Sequence, residues 1–544
     1  MHGGQLDPDT RVAQLIASYG NAGACAAHLL CDRHDADAVA FSIIGPDLVS
    51  TDLTYGELKR RSERFASSLG QLGVRPGDRV ATLMTKSAEL LVSLLAIWRL
   101  GAIHVPLFTA FGPAAIDFRL KASRARAVIV DPDQGLKLAE LDLDGALVIA
   151  TRLGVAGAHV WNAVLEGGNA DFAAFVGGGR APLVEIYTSG TTGTPKGVHV
   201  PVQALASFQT YLEYGLDVRA DDIYWNAADP GWAYGLYYGI LAPLVAGRRS
   251  LLLTAPFSAE LTLDVLERCK VTNFAAAPTV YRALRSSGLN PQSSLRCASS
   301  AGEPLTPEVN LWAQEALGVE VHDHYGQTEC GMMINNHQHP ALRRDLTTGA
   351  MGRSMPGWRA VVLDAEADRI AAPDTNGRLA VELPESPLAW FEGYVGAAAK
   401  TAEKFSADGR WYLTGDVART DREGCFYFGS RDDDVIIMAG YRIGPFEVES
   451  AMSLHPAILE CAAVAIPDEV RGEVLEAVVV LRPGYAPSDG LTQEIQAQVK
   501  RGFAAHAFPR RVHYAAALPK TASGKVQRFV IREQLRAGGS VQAS

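Results

Sequence analysis

Cysteine is scarce and scattered: seven in 544 residues, with no CxxC pair and no zinc-like spacing. That excludes a disulfide framework or a structural zinc cluster and reads as reduced, intracellular thiols. Long apolar runs are missing too. The longest in a helical stretch, Leu90 to Trp98, falls far short of the roughly 20 residues a membrane span needs. The opening MHGGQLDPDTRVAQ has no basic stretch followed by an apolar one, so no secretory signal is expected. Nor is positive charge in excess. The formal net charge of −10 argues against nucleic acid as a general partner, while leaving room for local basic pockets. The expectation is a soluble cytoplasmic protein, and at roughly 100–200 residues per domain the chain should hold three or four folded units.

What is present is a regular alternation. Thr54 and Glu57 have the spacing of a capping box, and Leu58, Phe65, Leu69 and Leu72 recur on one face of the helix that follows. Strand Val80 to Met84, helix Ala88 to Leu100 and strand Ile103 to Val105 make a βαβ unit, with Gly101 stopping the helix. Val128 to Val130 reads as the next buried strand, and the Gly/Ala-rich stretch from Leu153 to Arg180 as a connection. The pattern resumes with helix Leu261 to Lys270, strand Val271 to Ala275, helix Thr279 to Arg285, strand Leu295 to Ser299 and helix Pro307 to Leu317. Two doubly wound parallel sheets are implied. From Gly349 to Phe428 the pattern turns to short β segments punctuated by Gly and Pro, and the charged run Arg431-Asp432-Asp433-Asp434 separates these from an α+β tail. The fold class is therefore α/β: an N-terminal domain over 1–431, with two αβα subdomains and a small β subdomain at about 349–428, then a C-terminal domain over 432–544.

The densest chemistry lies in Tyr187 to Gly197, Y-T-S-G-T-T-G-T-P-K-G, directly after the apolar run Leu183 to Ile186. Gly190, Gly193 and Gly197 let the backbone turn and approach a ligand, so that successive amides can point at an anion. Thr188, Ser189, Thr191, Thr192 and Thr194 add hydroxyls and Lys196 a charge, which suits phosphate. A Walker-type loop needs Gly-Lys-Ser/Thr, whereas here Pro195 precedes Lys196 and Gly197 follows it. A flexible linker would not carry a fixed Pro-Lys-Gly end straight after a buried strand.

The string resembles the signature loop of the acyl-adenylate-forming superfamily of acyl-CoA synthetases, peptide-synthetase adenylation domains and luciferases. The resemblance runs from about Thr54 to Arg528, with every signature in order. It implies that the turn Gly302-Glu303-Pro304 lies against adenine. In Asp323-His324-Tyr325-Gly326-Gln327-Thr328-Glu329 it implies a stacking face from Tyr325, an α-phosphate hydroxyl from Thr328, and a carboxylate for Mg2+ from Glu329, with Thr188 alongside. It further implies ribose and phosphate contacts from Asp416, Arg431 and Arg442, and an adenylation lysine at Lys525 in Pro519-Lys520-Thr521-Ala522-Ser523-Gly524-Lys525. Ala439, Gly440 and Tyr441 would approach CoA after the mobile tail rotates about Asp433. Many acyl-CoA synthetases have Ser where Ala439 stands.

The implied reaction joins ATP and a small carboxylate to an acyl-adenylate, which CoA then attacks. Lys196, Lys525 and Mg2+ on Glu329 would neutralise the anions that adenylation brings together. Acetate-specialised relatives carry Trp where Gly326 stands, so Gly326 should leave the acyl pocket open and admit a short-to-medium-chain acid, with Trp232 as a wall or as ordinary core. The resemblance leaves room for a homo-oligomer and for a protein acetyltransferase acting on Lys525. Three alternatives stand beside this reading. An adenylation domain would need a carrier partner, since nineteen residues follow Lys525. A luciferase-like oxygenase shares the motifs. A non-catalytic nucleotide-binding protein would be expected to have lost Lys525 or Glu329.

Overall fold

The Thr54 hydroxyl accepts a hydrogen bond from the Glu57 amide at 3.2 Å and starts the helix Tyr55–Gln71, which buries Leu58, Phe65 and Leu69. Ser87 caps the helix Ala88–Leu100 in the same way, and Gly101, at φ 78°, ends it. These two helices pack on each other against a seven-stranded sheet. The computed structural model describes residues 7–188, 195–289, 291–431, 434, 436–438, 441–468, 472–503, 507–521, 525–539 and 541–542.

The seven-stranded sheet has a parallel centre, Ala127–Val130, Arg79–Leu83, Ile103–Pro106 and Pro182–Thr188, and ends on the antiparallel strand Lys196–Pro201. The second sheet is larger than alternation alone implies, because thirteen strands run on continuously. Its parallel part includes Tyr224–Asn226, Asn273–Ala276, Cys297–Ala301 and Val321–Gln327. Beyond Val321–Gln327 it turns antiparallel through Gly331–Asn335 and Ala350–Ser354. It then continues into Phe426–Arg431, Trp411–Thr420, Gly377–Glu382 and Ala360–Leu363. The short strands expected around 349–428 are thus hydrogen-bonded onto the second sheet. The tail forms its own five-stranded sheet, with the helices Pro445–Ser453 and Asp489–Gly502 beside it.

One connection holds more structure than its composition suggests. Between Leu153 and Arg180 lie the strand His159–Val160 and the helix Trp161–Gly167. Trp161 is fully buried, stacks on Phe65 at 5.0 Å and donates its indole N–H to Ser93 Oγ at 2.9 Å. A single buried indole fixes this segment, a signal that Gly/Ala composition hides. Among the described residues no helix is long and apolar enough to cross a membrane, and all seven cysteines are free.

Candidate active site

Pairing of Trp411–Thr420 with Phe426–Arg431 sets Asp416 directly opposite Arg431. Arg431 Nη1 lies 3.1 Å from Asp416 Oδ1, and the carboxylate is 3% exposed. Gln327 Nε2 donates to Asp416 Oδ2 at 2.8 Å and to the Thr414 carbonyl at 3.0 Å, while its own oxygen accepts from the Tyr412 hydroxyl at 2.9 Å. The Tyr325 hydroxyl donates to the same Asp416 Oδ2. Burial, and then Asp416, pushes the Tyr325 phenol well above its ordinary pKa, so it stays a donor. Charge-assisted bonds from several strands therefore fix one carboxylate in place.

The ends of the phosphate-type loop are the ends of a hairpin, Thr188 facing Lys196. Lys196 Nζ sits 4.9 Å from the centre of the Tyr394 ring, and the Tyr394 hydroxyl donates to Glu329 Oε1 at 2.7 Å. Tyr394 thus links the hairpin to the buried Glu329. Ser189, Gly190, Thr191, Thr192 and Gly193 lie outside the described residues. Among the described residues no cluster of three or more His, Cys, Asp or Glu could hold a metal. Mg2+ does not require one, since it binds through one or two carboxylates with substrate phosphates supplying further oxygens. Glu329, with Oε1 engaged by Tyr394, suits that role, and Thr188 offers a further oxygen at the hairpin's end.

Just beyond the strand Cys297–Ala301, Gly302 has φ 100°, and among the described residues no atom outside its chain neighbours lies within 4 Å of where a Cβ would stand. The backbone there is open to a flat ligand. Glu303, next in the turn before Pro304, accepts from Arg282 Nη2 at 2.8 Å. Asp323 Oδ2 accepts from the Leu305 amide at 3.3 Å, Oδ1 has no partner, and burial pushes the carboxyl up to about 8. His324 is placed differently from an open nucleotide contact. It is 2% exposed, with Nδ1 2.6 Å from the Tyr211 hydroxyl and Nε2 3.1 Å from the Asn336 carbonyl. Thr328 is half-buried, and its carbonyl accepts from Tyr237 at 3.1 Å.

Gly326 stands where backbone is crowded. An added Cβ would stand 2.2 Å from the Gly331 carbonyl oxygen and 2.7 Å from Met332 Cα, on the partner strand of its own hairpin. The glycine is demanded by backbone crowding at a register shift, and a tryptophan there would have to displace a strand before reaching any acyl pocket. Trp232 is half-buried and meets Phe108 edge-on at 5.6 Å, so it is not a core tryptophan like Trp161.

The tail brings Lys525 to this cleft. Its loop is closed by two hydrogen bonds, Thr521 N to Lys525 O at 2.8 Å and Lys525 N to Thr521 Oγ1 at 3.1 Å. The side chain keeps solvent contact. Protein packed around the ammonium nevertheless lowers its pKa, with Arg431 adding to the effect and Glu303 and Asp416 opposing it. The lysine is therefore within electrostatic reach of residues from both walls of the cleft. Phe446 against Phe428 at 6.2 Å and Ser453 Oγ to Glu308 Oε2 at 2.9 Å hold the tail there. Ala439, Gly440 and Asp433 lie outside the described residues, and Tyr441 and Arg442 are described only as backbone of the strand Tyr441–Ile443.

Sequence reasoning missed Lys404 and Tyr394. Lys404 Nζ donates to the Thr414 carbonyl at 2.8 Å, and its pKa is lowered by burial, with Glu329 opposing. Both residues flank short, irregular elements, and the only cue was a lysine shortly before Trp411 and the Thr414-Gly415-Asp416 motif.

Residues 31–395 match the AMP-binding enzyme family and residues 447–525 the AMP-binding enzyme C-terminal domain. The acetyl-coenzyme A synthetase of Bacillus subtilis (strain 168) is 36% identical, over 88% of this chain and 84% of that one. A crystal structure of a Brucella canis acyl-CoA synthetase is 39% identical, covers 98% of each chain and superposes with a TM-score of 0.76. ATP-bound MatB from Rhodopseudomonas palustris is 28% identical over 95% of this chain and 99% of that one, with a TM-score of 0.83, against 0.76 for its apo structure. By that measure this chain is closer in overall shape to the ATP-bound form of that protein than to its apo form. On these matches the chain belongs to the AMP-binding enzyme family, in both its large and its C-terminal domains.

Proposed function

We infer that this chain is an acid–thiol ligase, an AMP-forming acyl-CoA synthetase. ATP and a carboxylate give an acyl-adenylate and pyrophosphate, and the thiolate of CoA then displaces AMP. The observation that carries the reading is the docking of the tail through Phe446 on Phe428 and Ser453 on Glu308, which sets Lys525 within electrostatic reach of Glu303, Arg431 and Asp416. Two anions must approach for adenylation, so the first task is neutralisation.

The oriented carboxylate of Asp416 receives the ribose hydroxyls, and Tyr325 offers its face to the purine. The open backbone at Gly302, with Pro304 beyond Glu303, borders the base, and the partnerless Oδ1 of Asp323 accepts from an exocyclic amine. Thr188, Thr328, Lys196, Arg431 and Arg442 serve the phosphates, and Lys525 bridges the α-phosphate and the attacking carboxylate. When bound at Glu329 and Thr188, Mg2+ supplies charge neutralisation for the leaving pyrophosphate. AMP is a good leaving group, so a thiolate brought in by Ala439, Gly440 and Tyr441 needs orientation more than activation. Trp232 borders the acyl group, and a short-to-medium-chain acid is favoured. Lys525 is exposed enough to be acetylated, which would remove the charge adenylation needs. A panel of carboxylates with ATP and CoA, reading pyrophosphate and thioester together, tests the assignment. Pyrophosphate with no thioester from any acid would overturn CoA as the acceptor.

A further inference from the structure

Buried phenols between Tyr211 and Tyr281 are satisfied in different ways, and the Tyr238 hydroxyl accepts from the Met332 amide at 2.7 Å. Tyr224, Tyr237 and Tyr281 give their protons to backbone carbonyls, those of Tyr238 at 2.8 Å, Thr328 at 3.1 Å and Ser299 at 3.0 Å. Tyr211 and Tyr234 instead meet each other, Oη to Oη at 3.2 Å, and Tyr211 reaches His324 Nδ1 at 2.6 Å. The far end of this relay fixes the direction of every proton along it. The Asn336 carbonyl can only accept, so the ring proton of His324 sits on Nε2, 3.1 Å away. Burial keeps the imidazole neutral, which leaves Nδ1 as an acceptor. Tyr211 must donate to it. Having one proton, Tyr211 can then only accept from Tyr234.

The relay therefore ends on a tyrosine oxygen with lone pairs and no proton to offer. Among the described residues no donor meets Tyr234 Oη. Of the three residues Tyr234 keeps the most solvent contact, 8% against 2% for His324 and none for Tyr211. It stands two residues beyond Trp232.

We propose that Tyr234 selects carboxylic acids whose acyl chain carries a hydroxyl group, because the substrate hydroxyl supplies the donor that the Tyr211–Tyr234–His324 relay lacks. A plain alkyl acid would leave that oxygen without a partner once the pocket closes, which is the basis on which such sites reject deoxy analogues. The proposal rests on the ligase reading above.

The test compares kcat/KM for butyrate, β-hydroxybutyrate, γ-hydroxybutyrate and levulinate, with Tyr234→Phe and Tyr211→Phe beside the wild-type protein. The wild-type protein should prefer one of the hydroxy acids to butyrate by at least about tenfold, and Tyr234→Phe should bring that ratio toward one. Tyr211→Phe removes the inward acceptor and turns the Tyr234 proton toward the pocket. It should therefore raise use of levulinate, which can only accept, relative to the hydroxy acids. A wild-type preference for butyrate over both hydroxy acids, or an unchanged ratio in Tyr234→Phe, would overturn the proposal while leaving the ligase reading intact. Absence of thioester with every acid would overturn the ligase reading itself.

Discussion

Asp416 and Lys525, to which the proposed reaction gives different tasks, are held in opposite ways. Asp416 lies within a strand of the thirteen-stranded sheet, 3% exposed, with donors from Tyr325 and Gln327 and an ion pair to Arg431. Lys525 is exposed on a tight loop whose described hydrogen bonds are to Thr521, and it reaches the cleft only because the tail is docked. One group is built in and the other is delivered. A group needed in every step can be fixed by the sheet, whereas a group needed in one step can leave with its domain.

The largest expected effect is on the delivered group. Lys525→Ala should slow adenylation by at least roughly 100-fold, while supplied acyl-adenylate and CoA still give thioester. Single-turnover assays of the two half-reactions read this directly, and equal loss in both would remove the distinction. Asp416→Ala should behave differently, weakening nucleotide binding in both half-reactions alike. Losing a charge-assisted hydrogen bond of about 1.5–3 kcal/mol corresponds to roughly 10- to 150-fold in KM for ATP. An effect on one half-reaction alone would show that Asp416 too acts step by step.

The hinge tests the delivery itself. Asp434 is anchored to the tail by Arg532 at 2.8 Å and Arg528 at 3.7 Å, so rotation has to be absorbed before it in the chain. Proline at 433 fixes φ and removes an amide. Asp433→Pro should hold the tail with Lys525 facing the cleft, leaving adenylation active and slowing thioester formation by about tenfold or more. The reverse pattern would mean that the docked arrangement is not the one that adenylates. A smaller effect is expected from Gly326→Ala on the fixed wall. Its Cβ meets the Gly331 carbonyl at 2.2 Å, and overpacking of this kind costs about 1–3 kcal/mol. A thermal melt of Gly326→Ala that overlays the wild-type melt would show that the hairpin can open.

How much of this was legible in the sequence follows from how local each signal is. The helix Ala88–Leu100 and the cap at Thr54 are written in a few adjacent residues, and the structure places both where that pattern puts them. The motif residues Asp416, Tyr325 and Gln327 were legible one at a time, but their convergence on a single carboxylate joins side chains about ninety residues apart, from strands that are not paired with each other. Tyr394 and Lys404 carried no periodic signal, because tertiary contacts alone give them their roles. Gly326 carries a constraint that the sequence hides for a related reason. A glycine in a motif looks like space for a ligand, and only the register of the partner strand reveals that backbone fills that space.

The smallest effect expected concerns a proton. Burial holds the Asp323 carboxyl at about 8, against 3.8 for the free side chain. The folded protein therefore keeps a proton that the unfolded chain releases between roughly pH 4 and 8, and this group's contribution to stability declines as pH rises through that window. In Asp323→Asn that decline should disappear, flattening the dependence of Tm on pH over the interval. Nucleotide binding should reverse the balance in the folded state. If an exocyclic amine of adenine donates to the partnerless Oδ1, it favours the ionised carboxylate, and the proton leaves as ATP arrives. At pH 7 this amounts to as much as about one proton per site. Calorimetry in two buffers of different ionisation enthalpy should show that release for the wild-type protein and none for Asp323→Asn. Heats that do not change between buffers would mean that Asp323 keeps its proton in the complex and does not read the base, leaving Gly302 and Pro304 to border adenine without it.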